Sequence, residues 1–108
     1  TTCSDALWAG LPVVTRIGKS FASRVSASLL NAIDLPELIT HSEKEFENLA
    51  LEFANNKNKL AEIKIKLEKN KISKSLFNTK LYTKNIETSY KIIYDRYLRN
   101  LPAEDIEI

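Results

Sequence analysis

The sequence predicts an α/β fold, the closing part of a sheet domain that is mostly helical in this chain. Three observations carry that expectation. Residues 4–32 read helix, strand, helix, the order of a layered α/β unit. From residue 34 onward Lys, Glu and Asn alternate with Leu, Ile, Phe and Tyr at helical spacing. A single apolar strand, Pro12–Thr15, needs sheet neighbours to satisfy its backbone, and these are expected upstream of residue 1.

Residues 4–9 read as a short helix, capped by Thr2 or Ser4, with Asp5 at the positive end of the helix dipole. Gly10 stands where a left-handed C-terminal cap belongs. Pro12-Val13-Val14-Thr15 is short and β-branched, with proline where a strand tolerates it, at its first residue. A loop around Gly18 follows, and Ser20 is placed to cap a helix over 21–32 with Phe21, Val25, Ser28 or Leu29, and Ala32 inward. Leu35-Pro36-Glu37-Leu38-Ile39 reads as an extended or turn segment.

Ser42-Glu43-Lys44-Glu45 is a capping box, in which serine and glutamate each satisfy a free amide. Phe46, Leu49, Ala50, Phe53 and Ala54 then recur at helical spacing, up to Asn55-Asn56. A helix over 57–70 turns Leu60, Ile63 and Leu67 inward, with Ile65 off that stripe. Asn78 or Thr79 caps a last helix whose Tyr82, Ile86, Tyr90, Ile93 and Tyr97 form a core-like face. That helix is expected to end near Asn100, before Pro102, leaving a loose acidic tail over 101–108.

A length of 108 residues suits one modest core and is too short for a two-domain enzyme. The chain has no initiator Met and opens on Thr1-Thr2-Cys3-Ser4-Asp5, which reads as a piece of a longer polypeptide. The single cysteine, Cys3, offers neither a disulfide framework nor metal-ligand spacing and reads as a small residue beside a turn. No apolar run approaches the ~18 residues of a membrane span. A net charge of +2 makes no general case for nucleic acid. The local balance is uneven: residues 34–56 hold six acids and one base, Lys44, whereas residues 57–100 hold twelve bases and four acids. The lysines fall opposite the apolar stripes, so a solvated face is the simpler reading and a phosphate-tracking face the competing one.

Few residues offer chemistry. Thr1, Thr2 and Asp5 stand at a helix start, where free amides and a partial positive charge suit a phosphate. Two hydroxyls add donors there, and a carboxylate one turn in accepts from ribose hydroxyls. Spacing alone favours plain helix capping for this cluster. Gly18-Lys19-Ser20 resembles the end of a phosphate loop, but Val13 stands where that motif requires glycine. A strand-to-helix turn is the better reading, with Arg16 and Lys19 facing any cleft beyond the strand. His41, the one histidine, has no partner that makes it a base and reads as an exposed residue before a helix. Arg24 reads as a structural ion-pair partner.

Taken as a string, residues 1–15, from Thr1-Thr2-Cys3-Ser4-Asp5 through Leu7-Trp8-Ala9-Gly10 to Val14-Thr15, resemble the TPR-linked O-GlcNAc transferase and SPINDLY-like glycosyltransferase family. So do Ala22-Ser23-Arg24-Val25, Leu35-Pro36-Glu37-Leu38-Ile39 and Ser75-Leu76-Phe77-Asn78-Thr79, four blocks in the same order over nearly the whole chain. The resemblance implies a GT-B fold, two Rossmann-like domains with a nucleotide sugar between them. Residues 1–100 would be the C-terminal portion of the donor-binding domain, including the long final helix, and 101–108 an acidic tail. It implies transfer of a sugar from a UDP-sugar to protein Ser/Thr in the cytoplasm, with no metal or other cofactor; N-acetylglucosamine is the sugar expected, and a SPINDLY-like fucosyl donor or another hexose fits the same residues. Thr1 and Thr2 would meet the pyrophosphate and Asp5 the ribose, and no catalytic base is named.

The isolated segment would be inactive. The histidine that commonly precedes the threonine pair, a phosphate-binding lysine, the catalytic region and the TPR repeats would lie upstream. The partners implied are the UDP-sugar donor, a protein acceptor and those upstream domains, with no nucleic acid and no membrane. Ile17-Gly18-Lys19 departs from the family, which often has Pro-Gly-Glu there, a reversal of charge. The alternative is a non-catalytic helical module that docks proteins through its tyrosine face.

Overall fold

The computed structural model describes residues 1–108, which divide into two compact units, Thr1–Phe77 and Asn78–Ile108. The first unit runs α1 (Thr2–Trp8), β1 (Thr15–Arg16), α2 (Val25–Ala32), a 3-10 turn (Pro36–Leu38), β2 (Ile39–Thr40), α3 (Glu43–Asn55), α4 (Lys57–Ser73) and a second 3-10 turn (Ser75–Phe77). The second unit holds α5 (Thr79–Leu98) and the tail.

One partner of the strand lies downstream in this chain, a pairing that the expectation of upstream neighbours did not include. β1 pairs in parallel with β2, Thr15 opposite Ile39 and Arg16 opposite Thr40. α2 makes the crossover that a parallel pair requires. The ladder begins at Thr15, later than the predicted Pro12–Thr15. Val13 and Val14 spend their side chains on the core without ladder pairing, and proline has no amide to offer one. Ile17 N–H to Thr40 O, 2.9 Å, and Thr40 Oγ1–H to Thr15 O, 2.9 Å, extend the pairing.

Helix ends follow their local chemistry. α1 closes in a Schellman turn: Gly10 has φ +82°, its N–H reaches Leu7 O, and Leu11 N–H reaches Ala6 O. α2 closes the same way through Asp34, φ +59°, with Leu35 N–H on Leu30 O at 2.8 Å. The accompanying apolar contact is there too, since Leu30 and Leu35 are both fully buried. Ser42, Asn56 and Asn78 each accept an amide of the helix they precede. In the capping box Glu45 accepts from His41 N–H, 2.7 Å, one residue before the expected partner.

α2 is shorter than predicted. Its first turn is taken by a serine turn, Ser23 Oγ–H to Ser20 O at 2.9 Å, so Ser20 caps no helix and Phe21 points to solvent. Leu7, Leu30, Ile33, Leu35, Leu38 and Leu67 are fully buried, joined by Phe53 and Ile63. Each such side chain contributes about 1.5–3 kcal/mol of transfer energy, set against the cost of ordering the chain. The α4 stripe is as expected, with Ile65 outside it. On α3 only Leu49 and Phe53 reach the core, while Ala50 and Ala54 stay exposed.

Asn70 extends the α4 stripe, three residues beyond Leu67. It is buried, and its Nδ2 donates to Ile33 O, 2.8 Å, and Asp34 O, 3.2 Å. The uneven charge also finds its use. Lys59 pairs with Glu52, Lys66 with Glu37 and Lys74 with Asp34, so lysines of the basic segment neutralise acids of the segment before it.

In the second unit α5 ends at Leu98, and Asn100, φ +53°, supplies its left-handed cap. The tyrosine stripe is not a core: Tyr82, Tyr90, Ile93 and Tyr97 are exposed and no residue of α5 is buried. A twenty-residue helix with a short tail has nothing in its own unit with which to cover that face. The tail, expected loose, is held by Arg96, whose guanidinium donates to Glu104 and to Pro102 O.

Two outcomes test this packing. Asn70→Ala leaves the buried Ile33 carbonyl unsatisfied and lowers urea-unfolding stability by about 1–3 kcal/mol. The hydrogen bond and charge of Lys74 hold the Asp34 carboxyl below its ordinary value. Its stabilisation is therefore present above the ordinary carboxylate range and is lost as pH falls through the depressed folded-state value. NMR titration of Lys74→Ala returns the Asp34 carboxyl to its ordinary range and removes that acid limb.

Candidate functional site

Helix α1 presents two faces of opposite character. Cys3 and Leu7, one turn apart, turn inward, with Leu7 fully buried and Cys3 packed against the core. Thr1, Thr2 and Asp5 share the other side and are all exposed. α1 packs on α2 and α4, so the core fixes which side faces out. At its far end Trp8 meets Phe77 edge to face, centroids 5.0 Å apart, and Lys71 Nζ lies 5.5 Å from the Trp8 ring centre.

The helix start has no side-chain cap. Thr1 stands at the cap position, but neither Thr2 nor Ser4 closes the end as predicted. Thr1 O accepts Asp5 N–H at 2.9 Å and Ser4 Oγ–H at 2.6 Å. The amides of Thr2, Cys3 and Ser4 precede the first helical bond and remain free donors. The side chains of Thr1, Thr2 and Asp5 make no hydrogen bond or ion pair within the chain. Amide donors, two hydroxyls and a carboxylate thus stand together on one open face. Such a set can bind an anion at the amides and accept hydroxyl protons at the carboxylate.

The loop of residues 17–24 is closed by Gly18 N–H to Ser23 O, 3.2 Å, and by the Ser20–Ser23 pair. Gly18 has to be glycine for steric reasons, since an added Cβ would lie 2.4 Å from Ser23 Oγ. Lys19 and Arg24 line an open groove beside this loop, and Arg16 does not. Arg24, read as an ion-pair partner, makes no ion pair. His41 is exposed, as read. No cluster of His, Cys, Asp and Glu able to hold a metal is present, and no helix is long and apolar enough to cross a membrane.

Residues 1–86 match glycosyl transferase family 41. The chain belongs to that family. It is 33% identical over 106 residues to a Caenorhabditis elegans UDP-N-acetylglucosamine–peptide N-acetylglucosaminyltransferase, covering 98% of this chain and 9% of that protein. It is 38% identical over 91 residues to a probable enzyme of the same name, SEC, from Arabidopsis thaliana, covering 83% of this chain and 9% of the relative. A probable SPINDLY from Hordeum vulgare is 31% identical over 97 residues, 90% of this chain and 10% of that protein. The chain spans about a tenth of the length of these curated relatives. The family resemblance seen in the residue blocks is borne out.

The cleft expected beside Lys19 is present, whereas Phe21, expected inward, lies in it and is exposed. Sequence reading missed Asn70, although its spacing from Ile63 and Leu67 lies on the inward stripe. Gly18→Ala should force Ser23 aside and cost about 1–3 kcal/mol, as overpacking does. Hydrogen exchange localises the loss, with Gly18 and Arg24 amides losing protection before the α4 core.

Proposed function

We propose that this chain is the C-terminal portion of the Rossmann-like, donor-binding domain of a GT-B enzyme. That enzyme transfers N-acetylglucosamine from a UDP-sugar to protein serine or threonine. The family match over residues 1–86, with relatives named as UDP-N-acetylglucosamine–peptide transferases, carries the reading. On this reading residues 1–100 belong to the donor domain and the acidic tail closes it. Upstream GT-B and TPR segments supply the acceptor cleft and the catalytic base. The protein works in the cytoplasm without a metal.

The open face of α1 supports the assignment of roles. The amides and hydroxyls of Thr1 and Thr2 take the diphosphate, and the Asp5 carboxylate accepts from the ribose hydroxyls. As the glycosidic bond to the diphosphate breaks, charge grows on the leaving phosphate. Donors already fixed at a helix start stabilise that charge without reorganising. The packing of Leu7 and the Gly10 turn hold the donors in place, so their contribution is positioning as well as charge.

The exposed tyrosine face of α5 favours a second reading, a non-catalytic protein-docking module, which predicts no nucleotide response. Isothermal titration of UDP into the longer enzyme that this reading implies separates the two. Asp5→Ala is expected to weaken UDP by about 1–3 kcal/mol, the worth of a hydrogen bond to a charged group. Unchanged affinity in a folded variant withdraws Asp5 from the site, and absent UDP binding in the wild type withdraws the transferase reading.

A further inference from the structure

The groove beside α2 has a volume of about 700 Å³, and the role proposed for α1 does not use it. Its polar wall is a ladder on one face of the helix: Arg24, Ser28 and Asn31, at i, i+4 and i+7. All three are exposed. Lys19 joins Arg24 at the loop end. Phe21, 87% exposed, and Leu29 provide apolar surface in the same groove. No carboxylate lines it. Lys19 and Arg24 make no ion pair, so no acid of this chain neutralises the cations of the groove.

We propose that this groove seats an extended peptide segment carrying an acidic side chain, which lies at Lys19 and Arg24. Charge complementarity selects the acid, because two uncompensated cations stand at one end of a groove without acids. The neutral ladder selects a peptide. Seven residues of helix rise about 10 Å, the reach of about three residues of extended chain. Ser28 and Asn31 both donate and accept, which suits main-chain amides and carbonyls rather than a row of phosphates. Phe21 offers a face against which an apolar neighbour of the acid packs. That the peptide is the acceptor of sugar transfer rests on the function proposed above; that the groove binds it does not.

The test uses fluorescence anisotropy on the full-length protein, without donor, with two labelled peptides. One carries a pair of glutamates beside a leucine and a serine, and its twin has glutamines in their place. The glutamate peptide is expected to bind about tenfold more tightly at low salt and to lose most of that advantage at high salt. Lys19→Gln with Arg24→Gln should abolish the preference while circular dichroism stays unchanged. If that double variant does not fold, Lys19→Gln alone, in an exposed loop, should reduce the preference. Equal affinity for both peptides, no binding of either, or a preference that survives the substitutions overturns the proposal. A UDP titration run in parallel keeps the two readings apart. UDP binding without peptide preference removes only the groove, and peptide preference without UDP binding removes only the transferase reading.

Discussion

The amide of Asn70 holds together the parts on which both surface features of the first unit depend. Its two donor hydrogens serve two successive carbonyls, Ile33 and Asp34, at the left-handed close of α2. The bond to Asp34 O is half-buried, while the bond to Ile33 O is buried beside the leucine core, so that carbonyl has no solvent to fall back on. An unmet acceptor there carries its full desolvation cost. The asparagine therefore decides where α4 crosses the end of α2. It also fixes the direction in which the chain leaves toward the Pro36–Leu38 turn and β2.

From that exit the rest follows. β2 reaches β1 in one register, which Thr40 locks by donating its hydroxyl to Thr15 O. With β1 held, the residues after it must return to α2 through the tight loop closed at Gly18 and Ser23. Phe21 is thereby turned outward and Arg24 is left beside open space. On the other side of the core, Leu7 and the Gly10 turn orient α1 so that Thr1, Thr2 and Asp5 face solvent. The surface chemistry of this unit is what remains after the leucine core has claimed its own faces.

The charges add orientation more than stability. Pairs such as Lys66–Glu37 and Lys74–Asp34 are exposed on both sides, and exposed pairs are individually weak. Their arrangement still matters, because acids from one stretch of chain meet lysines from the next. Lys59, Lys66 and Lys74 of the basic segment are engaged in this way.

Local chemistry was legible in the sequence. The capping box at Ser42, the cap at Asn78, the glycine turn at Gly10 and the Leu60–Ile63–Leu67 stripe depend on residues within a turn or two of one another. The residue blocks that mark the family could likewise be read directly, and they placed Thr1, Thr2 and Asp5 at a helix start. What the tertiary structure alone decided was non-local. It paired β1 with a strand twenty-four residues downstream, drew Asn70 into the core, and left the α5 tyrosines uncovered. It also spent the first turn of α2 on a serine turn, which reversed Phe21. Helical periodicity shows which face is apolar, but only packing shows whether anything is there to cover it. A strand's pairing depends on a partner that its own residues do not specify.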